Sequence, residues 1–138
     1  MSWKRLAVLF LIILCAACTD TSDPYSDDYE STLATAHIDS VALYEMVSFR
    51  EVGEHVVTFR DTDTVQSIQG LIVEREKESQ PSVVDTVDPP YLLDFDGIKY
   101  HLWLSEQGVA SFQYTENNDA HFSFTENETE QLRPLLGM

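Results

Sequence analysis

The sequence predicts an α+β domain in which a largely antiparallel sheet, in the order β-β-α-β-β-β-β-α, carries its helices on one face. Short runs of alternating apolar and polar residues, separated by turn residues, fill the second half of the chain and are typical of hairpin-connected strands. Helix-capping side chains at Asp61 and Thr125 are each followed by apolar residues at helical spacing, and these two patterns predict the two helices.

The first half of the domain is predicted to contain two strands and one helix. The first strand spans His37 to Val47, where the alternation of apolar and polar residues is imperfect. The second spans His55 to Arg60, with Val57 and Phe59 on one face. The helix follows Asp61 and runs to about Lys77, because its apolar residues repeat at helical spacing. These residues are Val65, Ile68, Leu71 and Ile72. A polar crossover, Glu78 to Pro90, ends in a double proline that leads into an extended segment.

The clearest local pattern is the stretch from Tyr91 to Leu104, which predicts a β-hairpin. Asp96-Gly97 fits a two-residue type I′ turn, and this turn sets Phe95 opposite Ile98. The resulting register places six apolar side chains on one face of the hairpin. They are Tyr91, Leu93, Phe95, Ile98, Tyr100 and Leu102.

Two more strands and a helix are predicted after this hairpin. A three-residue loop at Glu106 to Gly108, with the glycine in the left-handed region, and a polar turn at Glu116 to Asp119 join aromatic strands in meander order. Thr125 and Glu128 match a capping box, which predicts a final helix ending near Leu136.

The first 17 residues have the form of an export signal. Lys4 and Arg5 form a short positive segment, and Leu6 to Ala17 form an apolar run of 12 residues. This run is shorter than the roughly 20 apolar residues that a membrane-spanning helix needs. Residues 1–17 are therefore predicted to be a signal peptide.

The tripeptide Ala16-Ala17-Cys18 resembles the lipobox of bacterial lipoproteins. The resemblance implies cleavage after Ala17 and a diacylglycerol thioether on Cys18, with the mature protein held on the outer side of the cell membrane. A conventionally secreted protein cut after Ala17 and an uncleaved signal anchor are the alternatives. Cys15 would leave with the signal peptide, so the mature domain would contain no free thiol, no disulfide and no thiolate metal site.

An acidic linker is predicted between the lipid anchor and the domain. Residues 18–36 are rich in Asp, Ser and Thr, show no apolar periodicity, and so predict disorder, with a single domain at residues 37–138. A calcium site among the linker aspartates is an alternative, but their spacing lacks the glycine and terminal glutamate of an EF-hand loop.

The chain is strongly acidic, with a formal net charge of −16. Loss of Lys4 and Arg5 leaves six of the eight basic residues against 24 acidic ones, so the mature chain carries −18. Nucleic-acid binding needs a basic surface and is therefore excluded as a predicted function. An anionic membrane surface should repel the domain as well.

Two segments of the chain resemble the YhfM-like domain of small lipoproteins from Bacillus and its relatives. They are "GIKYHLWLSEQG", followed by an aromatic strand, and "FSFTENETEQLRPLL". Chains of that family also carry a lipobox, a polar spacer and a domain of this length. The resemblance implies the location and the fold, and it brings no established activity.

No pattern predicts a catalytic residue, a cofactor site or a metal site. The four histidines, His37, His55, His101 and His121, lack the helical spacing of zinc ligands. There is no G-x-S-x-G elbow and no glycine-rich phosphate loop. The predicted function is a binding module at the cell surface that recognises an unidentified envelope protein or ligand. The alternatives are an accessory subunit of an envelope assembly and a hydrolytic enzyme.

Lys99, His101 and Trp103 form the predicted recognition surface. They alternate with the apolar residues of the hairpin, so they lie on the opposite face of the sheet. Tryptophan is a frequent anchor of protein interfaces. The alternative is that Trp103 packs beneath the first helix or the linker.

Overall fold

The computed structural model describes residues 31–78, 87–106, 108–117 and 120–138, and it confirms the predicted α+β fold and element order. A single 3-10 turn, Leu33–Thr35, precedes the first strand. The strands and helices are β1 Val41–Ser48, β2 Glu51–Phe59, α1 Thr62–Glu78, β3 Tyr91–Phe95, β4 Ile98–Trp103, β5 Ser111–Tyr114, β6 His121–Ser123 and α2 Glu126–Leu135. The predicted signal peptide, Cys18, most of the linker and most of the crossover lie outside the described residues.

The six strands form one sheet in the order β2-β1-β3-β4-β5-β6, and every neighbouring pair is antiparallel. The last four strands follow the predicted meander. β1 lies between β2 and β3, so the chain leaves β2 at one edge and returns through α1 to the far side of β1.

The β3–β4 hairpin has the predicted turn and register. Asp96 and Gly97 have φ angles of 50° and 101°, as a type I′ turn requires. Phe95 pairs with Ile98, and the other predicted pairs follow from it. Asp94 Oδ1 also accepts a hydrogen bond of 2.7 Å from the Gly97 N–H, which stabilises the turn locally.

The core lies between one face of the sheet and the two helices. The central strands contribute fully buried side chains, and α1 and α2 pack theirs against them. The largest are Tyr100, Phe95, Phe112, Phe122, Leu93, Leu102, Ile68, Ile72 and Leu132. Within this core the Glu76 carboxylate accepts hydrogen bonds from Ser31 Oγ at 2.7 Å and from the Tyr100 hydroxyl at 3.2 Å. Both helices therefore cover the same face of the sheet, and no helix within residues 31–78, 87–106, 108–117 and 120–138 lies on the opposite face.

Both helices begin at the predicted capping residues. Asp61 Oδ2 accepts a hydrogen bond of 3.1 Å from the Thr64 N–H at the start of α1. At α2, Thr125 and Glu128 form the full capping box, with each side chain accepting from the other residue's backbone N–H. Pro134 lies in the last turn of α2, which ends one residue later.

The folded domain begins earlier than the sequence predicts. Leu33 is 0% exposed and belongs to the core, and Gln69 Nε2 donates hydrogen bonds to the carbonyls of Leu33 and Ala36 at 3.0 and 3.2 Å. The predicted linker boundary at Ala36 is therefore wrong, and Ser31 onward belongs to the domain. A single buried leucine among polar residues produces no apolar periodicity, so no pattern in the sequence indicates that Leu33 belongs to the core.

The β1–β2 hairpin also differs from its predicted limits. β1 starts at Val41 rather than His37, and β2 starts at Glu51 rather than His55. Three register shifts interrupt the pairing of these two strands. A Cβ added to Gly53 would lie 3.0 Å from the Glu45 carbonyl oxygen, so a glycine suits the close approach of the backbones there. Such irregularities disturb the strict alternation of apolar and polar residues, so the sequence pattern predicted a β2 strand that is too short.

Candidate interaction site

The helix-free face of the sheet carries one row of side chains that crosses all six strands. Residues directly opposite one another on paired strands share a face, and successive pairs link the row from β2 to β6. Its members are His55, Tyr44, Leu92, His101, Gln113 and His121. Three of the four histidines of the chain, far apart in sequence, thus lie on one surface.

Trp103 lies beside this row and forms an aromatic cluster, here called the Trp103 cluster. Its ring centroid is 5.3 Å from that of His121, 6.0 Å from Phe49 and 6.1 Å from His101. The indole Nε1–H donates a hydrogen bond of 3.0 Å to the Val87 carbonyl. These contacts hold the indole in one orientation while leaving it half-buried rather than enclosed.

The predicted surface residues share one face, but only two of them are in contact. The rings of His101 and Trp103 meet edge to face. Lys99 is exposed and pairs in register with Asp94, four residues from Trp103 along β4. At about 3.3 Å per residue this places Lys99 at the other end of the strand. The alternative in which α1 covers Trp103 is wrong, because α1 and α2 pack on the opposite face. The alternative in which the linker covers it falls mostly on residues outside the described part of the chain.

His101 is adapted to a neutral imidazole. Its Nδ1 is shielded from solvent and has no well-aligned hydrogen-bond partner within residues 31–78, 87–106, 108–117 and 120–138. Burial lowers the pKa of His101 below the ordinary value of 6.5, and polar interactions with the Gln113 side chain and the Phe49 backbone only partly oppose this. Near neutral pH the His101 imidazole in the Trp103 cluster is therefore uncharged.

Two partners of Trp103 were not predicted from the sequence. Phe49 lies in the turn between β1 and β2. Its N–H donates a hydrogen bond of 3.3 Å to Asp88 Oδ1, and this bond connects the turn to the residues before β3. His121 is buried on the short edge strand β6. Both contacts join residues that are distant in the chain, and the order of the strands in the sheet brings them together.

In the described part of the chain, no three His, Cys, Asp or Glu side chains come together as a potential metal site. None of the described helices has the length and apolar character needed to cross a membrane.

In comparisons with known proteins, no protein-family model, curated protein or solved structure matches this chain.

Proposed function

We propose that this chain is an extracytoplasmic lipoprotein whose domain is a binding module held at the outer face of the cell membrane. The observation that carries the binding role is the half-buried Trp103 on the sheet face opposite the two described helices. Aromatic anchors that are partly preorganised lose little conformational entropy when a partner covers them. The likeness to YhfM-like lipoproteins is part of this proposal and supports the location.

The distance between anchor and domain supports the proposed attachment. Residues 19–30 separate Cys18 from Ser31, the first described residue. Twelve residues span at most about 40 Å when fully extended. The described part contains 17 acidic and six basic residues, so the anionic headgroups repel it. A tether of this reach would hold the domain near the membrane without requiring it to touch the surface.

The anchor can be tested with a labelled fatty acid. Wild-type protein expressed in a Gram-positive host should incorporate the label, and Cys18→Ser should lose both the label and stable membrane attachment, because the acyl chains provide the anchor. Cys15→Ser is the matched control and should be labelled like wild type, since Cys15 leaves with the signal peptide. Label on Cys18→Ser, or none on wild type, would refute the lipoprotein proposal.

The binding role can be tested at Trp103. In crosslinking of the anchored protein in intact cells, Trp103→Ala should lose the partner captured by wild type. The loss of folding free energy should stay below about 2 kcal/mol, because the ring is only half-buried. Val52→Ala, an exposed change on β2 outside the Trp103 cluster, is the control and should retain capture.

Fluorescence separates loss of a contact from loss of the fold. After removal of Trp3 with the signal peptide, Trp103 is the sole tryptophan, so its emission reports on this site. We expect acrylamide to quench the free protein and quenching to fall when the partner is bound. Capture that persists in a folded Trp103→Ala protein would favour the accessory-subunit alternative, in which other surfaces make the contacts.

A further inference from the structure

A cleft between the two helices lies on the opposite side of the domain from the Trp103 cluster. Its volume is about 680 Å³, and both helices line it. Leu71 and Leu135, which pack against the core, give the cleft an apolar floor. Gln66, Glu74 and Gln131 contribute exposed polar side chains to its walls.

Gly70 lines this cleft, and the fold does not need a glycine there. It lies in the interior of α1, and it is not among the glycines with a positive φ angle. A Cβ built on it meets no atom within 4 Å. Alanine would therefore fit and would favour the helix, since glycine is among the poorest helix formers. The structural effect of Gly70 is to leave the middle of the cleft open.

The charge of the cleft favours a cationic occupant. Two carboxylates, Glu74 and Glu128, line it, and no Lys, Arg or His does so. Glu128 is paired with Arg75 at 2.6 Å, whereas Glu74 makes no ion pair within the described ranges. The surrounding domain is also strongly acidic, so a basic partner would gain from both local and long-range attraction.

The walls of the cleft favour a helical occupant over an extended one. The backbone N–H and C=O groups of α1 and α2 are largely engaged within each helix, so they offer few hydrogen bonds to a ligand. An extended peptide would bring its own backbone groups to this surface without partners, whereas a helix satisfies them internally. A helix can place apolar side chains over Leu71 and Leu135 at i, i+3 and i+4 spacing.

We propose that the α1–α2 cleft is a second docking site, which takes a basic amphipathic helix of a protein partner with an apolar residue seated over Gly70. The basic residues of that helix face Glu74, because Glu128 is already paired with Arg75. This site is independent of the Trp103 cluster, and it would allow the anchored domain to contact two partners on opposite faces of the sheet.

The test uses the full lipidated chain in phosphatidylcholine nanodiscs, with binding to empty nanodiscs subtracted. The probes are a Leu/Lys amphipathic peptide of about 18 residues, which as a helix matches the length of α1, and its Leu/Glu counterpart. Fluorescence anisotropy should show binding of the Leu/Lys peptide and much weaker binding of the Leu/Glu peptide.

Substitutions at Gly70 decide whether binding occurs in the cleft. Gly70→Leu fills it without altering the net charge and should weaken binding about tenfold or more. Gly70→Ala should raise the melting temperature yet weaken binding by a smaller factor. Val56→Leu, an exposed apolar change on β2, is the matched control and should bind like wild type.

Three results would overturn the proposal. They are no binding of the Leu/Lys peptide, equal binding of the two peptides, and unchanged affinity in a folded Gly70→Leu protein. The last result would mean that the peptide associates with the acidic surface in general. The Trp103→Ala variant should bind the Leu/Lys peptide normally, so failure of this site can be distinguished from failure of the binding role proposed for Trp103.

Discussion

Phe112→Ala is expected to lower the free energy of unfolding by about 3–5 kcal/mol, the range for truncating a large aromatic residue in a packed core. Phe112 is 0% exposed, and its ring centroid lies 4.9 Å from Phe124, 5.6 Å from Phe122 and 5.7 Å from Tyr100. Strands β4, β5 and β6 all contribute to this group. Few neighbours can move to fill the space, because each ring is itself packed against others.

Urea unfolding followed by circular dichroism measures this loss. Because a domain of this size has a total stability of only about 5–15 kcal/mol, Phe112→Ala could unfold, and Phe112→Leu provides a milder variant. Phe112→Leu should lose less than Phe112→Ala but clearly more than Val52→Ala, whose side chain is 47% exposed. A loss under about 1 kcal/mol for Phe112→Ala would contradict the core described above.

Arg75→Ala is expected to lower stability by about 2 kcal/mol, because it leaves Glu128 without its charged partner in a partly shielded site. The Arg75 Nη2 to Glu128 Oε1 distance is 2.6 Å, and the two side chains are 15% and 16% exposed. The pair joins α1 to the first turn of α2. Glu78, at 4.0 Å from Arg75 and 61% exposed, is the matched control, so Glu78→Gln should change stability by less than about 0.5 kcal/mol.

The pH dependence of this effect follows from Glu128. Burial acts to raise the pKa of Glu128, but hydrogen bonds from the Thr125 backbone and from Arg75 and Thr125 side chains outweigh it, and the pKa lies below the ordinary 4.5. A lowered carboxyl pKa stabilises the fold fully above about pH 4.5, and this contribution is lost as the pH falls through the folded-state value.

The difference in unfolding free energy between wild type and Arg75→Ala should therefore be constant near neutral pH and shrink as the pH falls below the ordinary glutamate pKa of 4.5 and through the lower folded-state pKa of Glu128. Glu128→Gln keeps an acceptor for the Thr125 N–H but removes the charge. In a Glu128→Gln background, the loss of unfolding free energy caused by Arg75→Ala should therefore no longer depend on pH in this range. A difference that does not change with pH over the whole acidic range in which the protein remains folded would mean that the ion pair contributes little.

Hairpins and helix caps could be predicted because their causes are local. The Asp96-Gly97 turn requires two residues with positive φ angles, and once it is placed, period-two alternation determines the register of β3 and β4. The Thr125–Glu128 capping box is likewise contained within four residues. Signals of this kind need no knowledge of distant parts of the chain.

Leu33 and the limits of β2 could not be predicted because they depend on what packs against them. Leu33 is buried only because Ser31 and Gln69 connect its segment to α1 and the core. The bulged pairing of β2 exposes six successive residues, and its sequence shows no strict alternation. Tertiary contact, rather than local preference, decides such elements.

The candidate site also has one part that local sequence patterns predicted and another that depends on tertiary packing. Alternation along β4 by itself placed His101 and Trp103 on the face opposite Tyr100, because successive strand residues point to opposite sides. It could not decide which face the helices cover, since either face could in principle receive them. In the structure, α1 and α2 pack on the Tyr100 side, so neither of the two described helices covers Trp103. His121 reaches Trp103 through the predicted β4-β5-β6 meander, whereas Phe49 reaches it from the β1–β2 turn, whose place in the sheet local patterns did not predict.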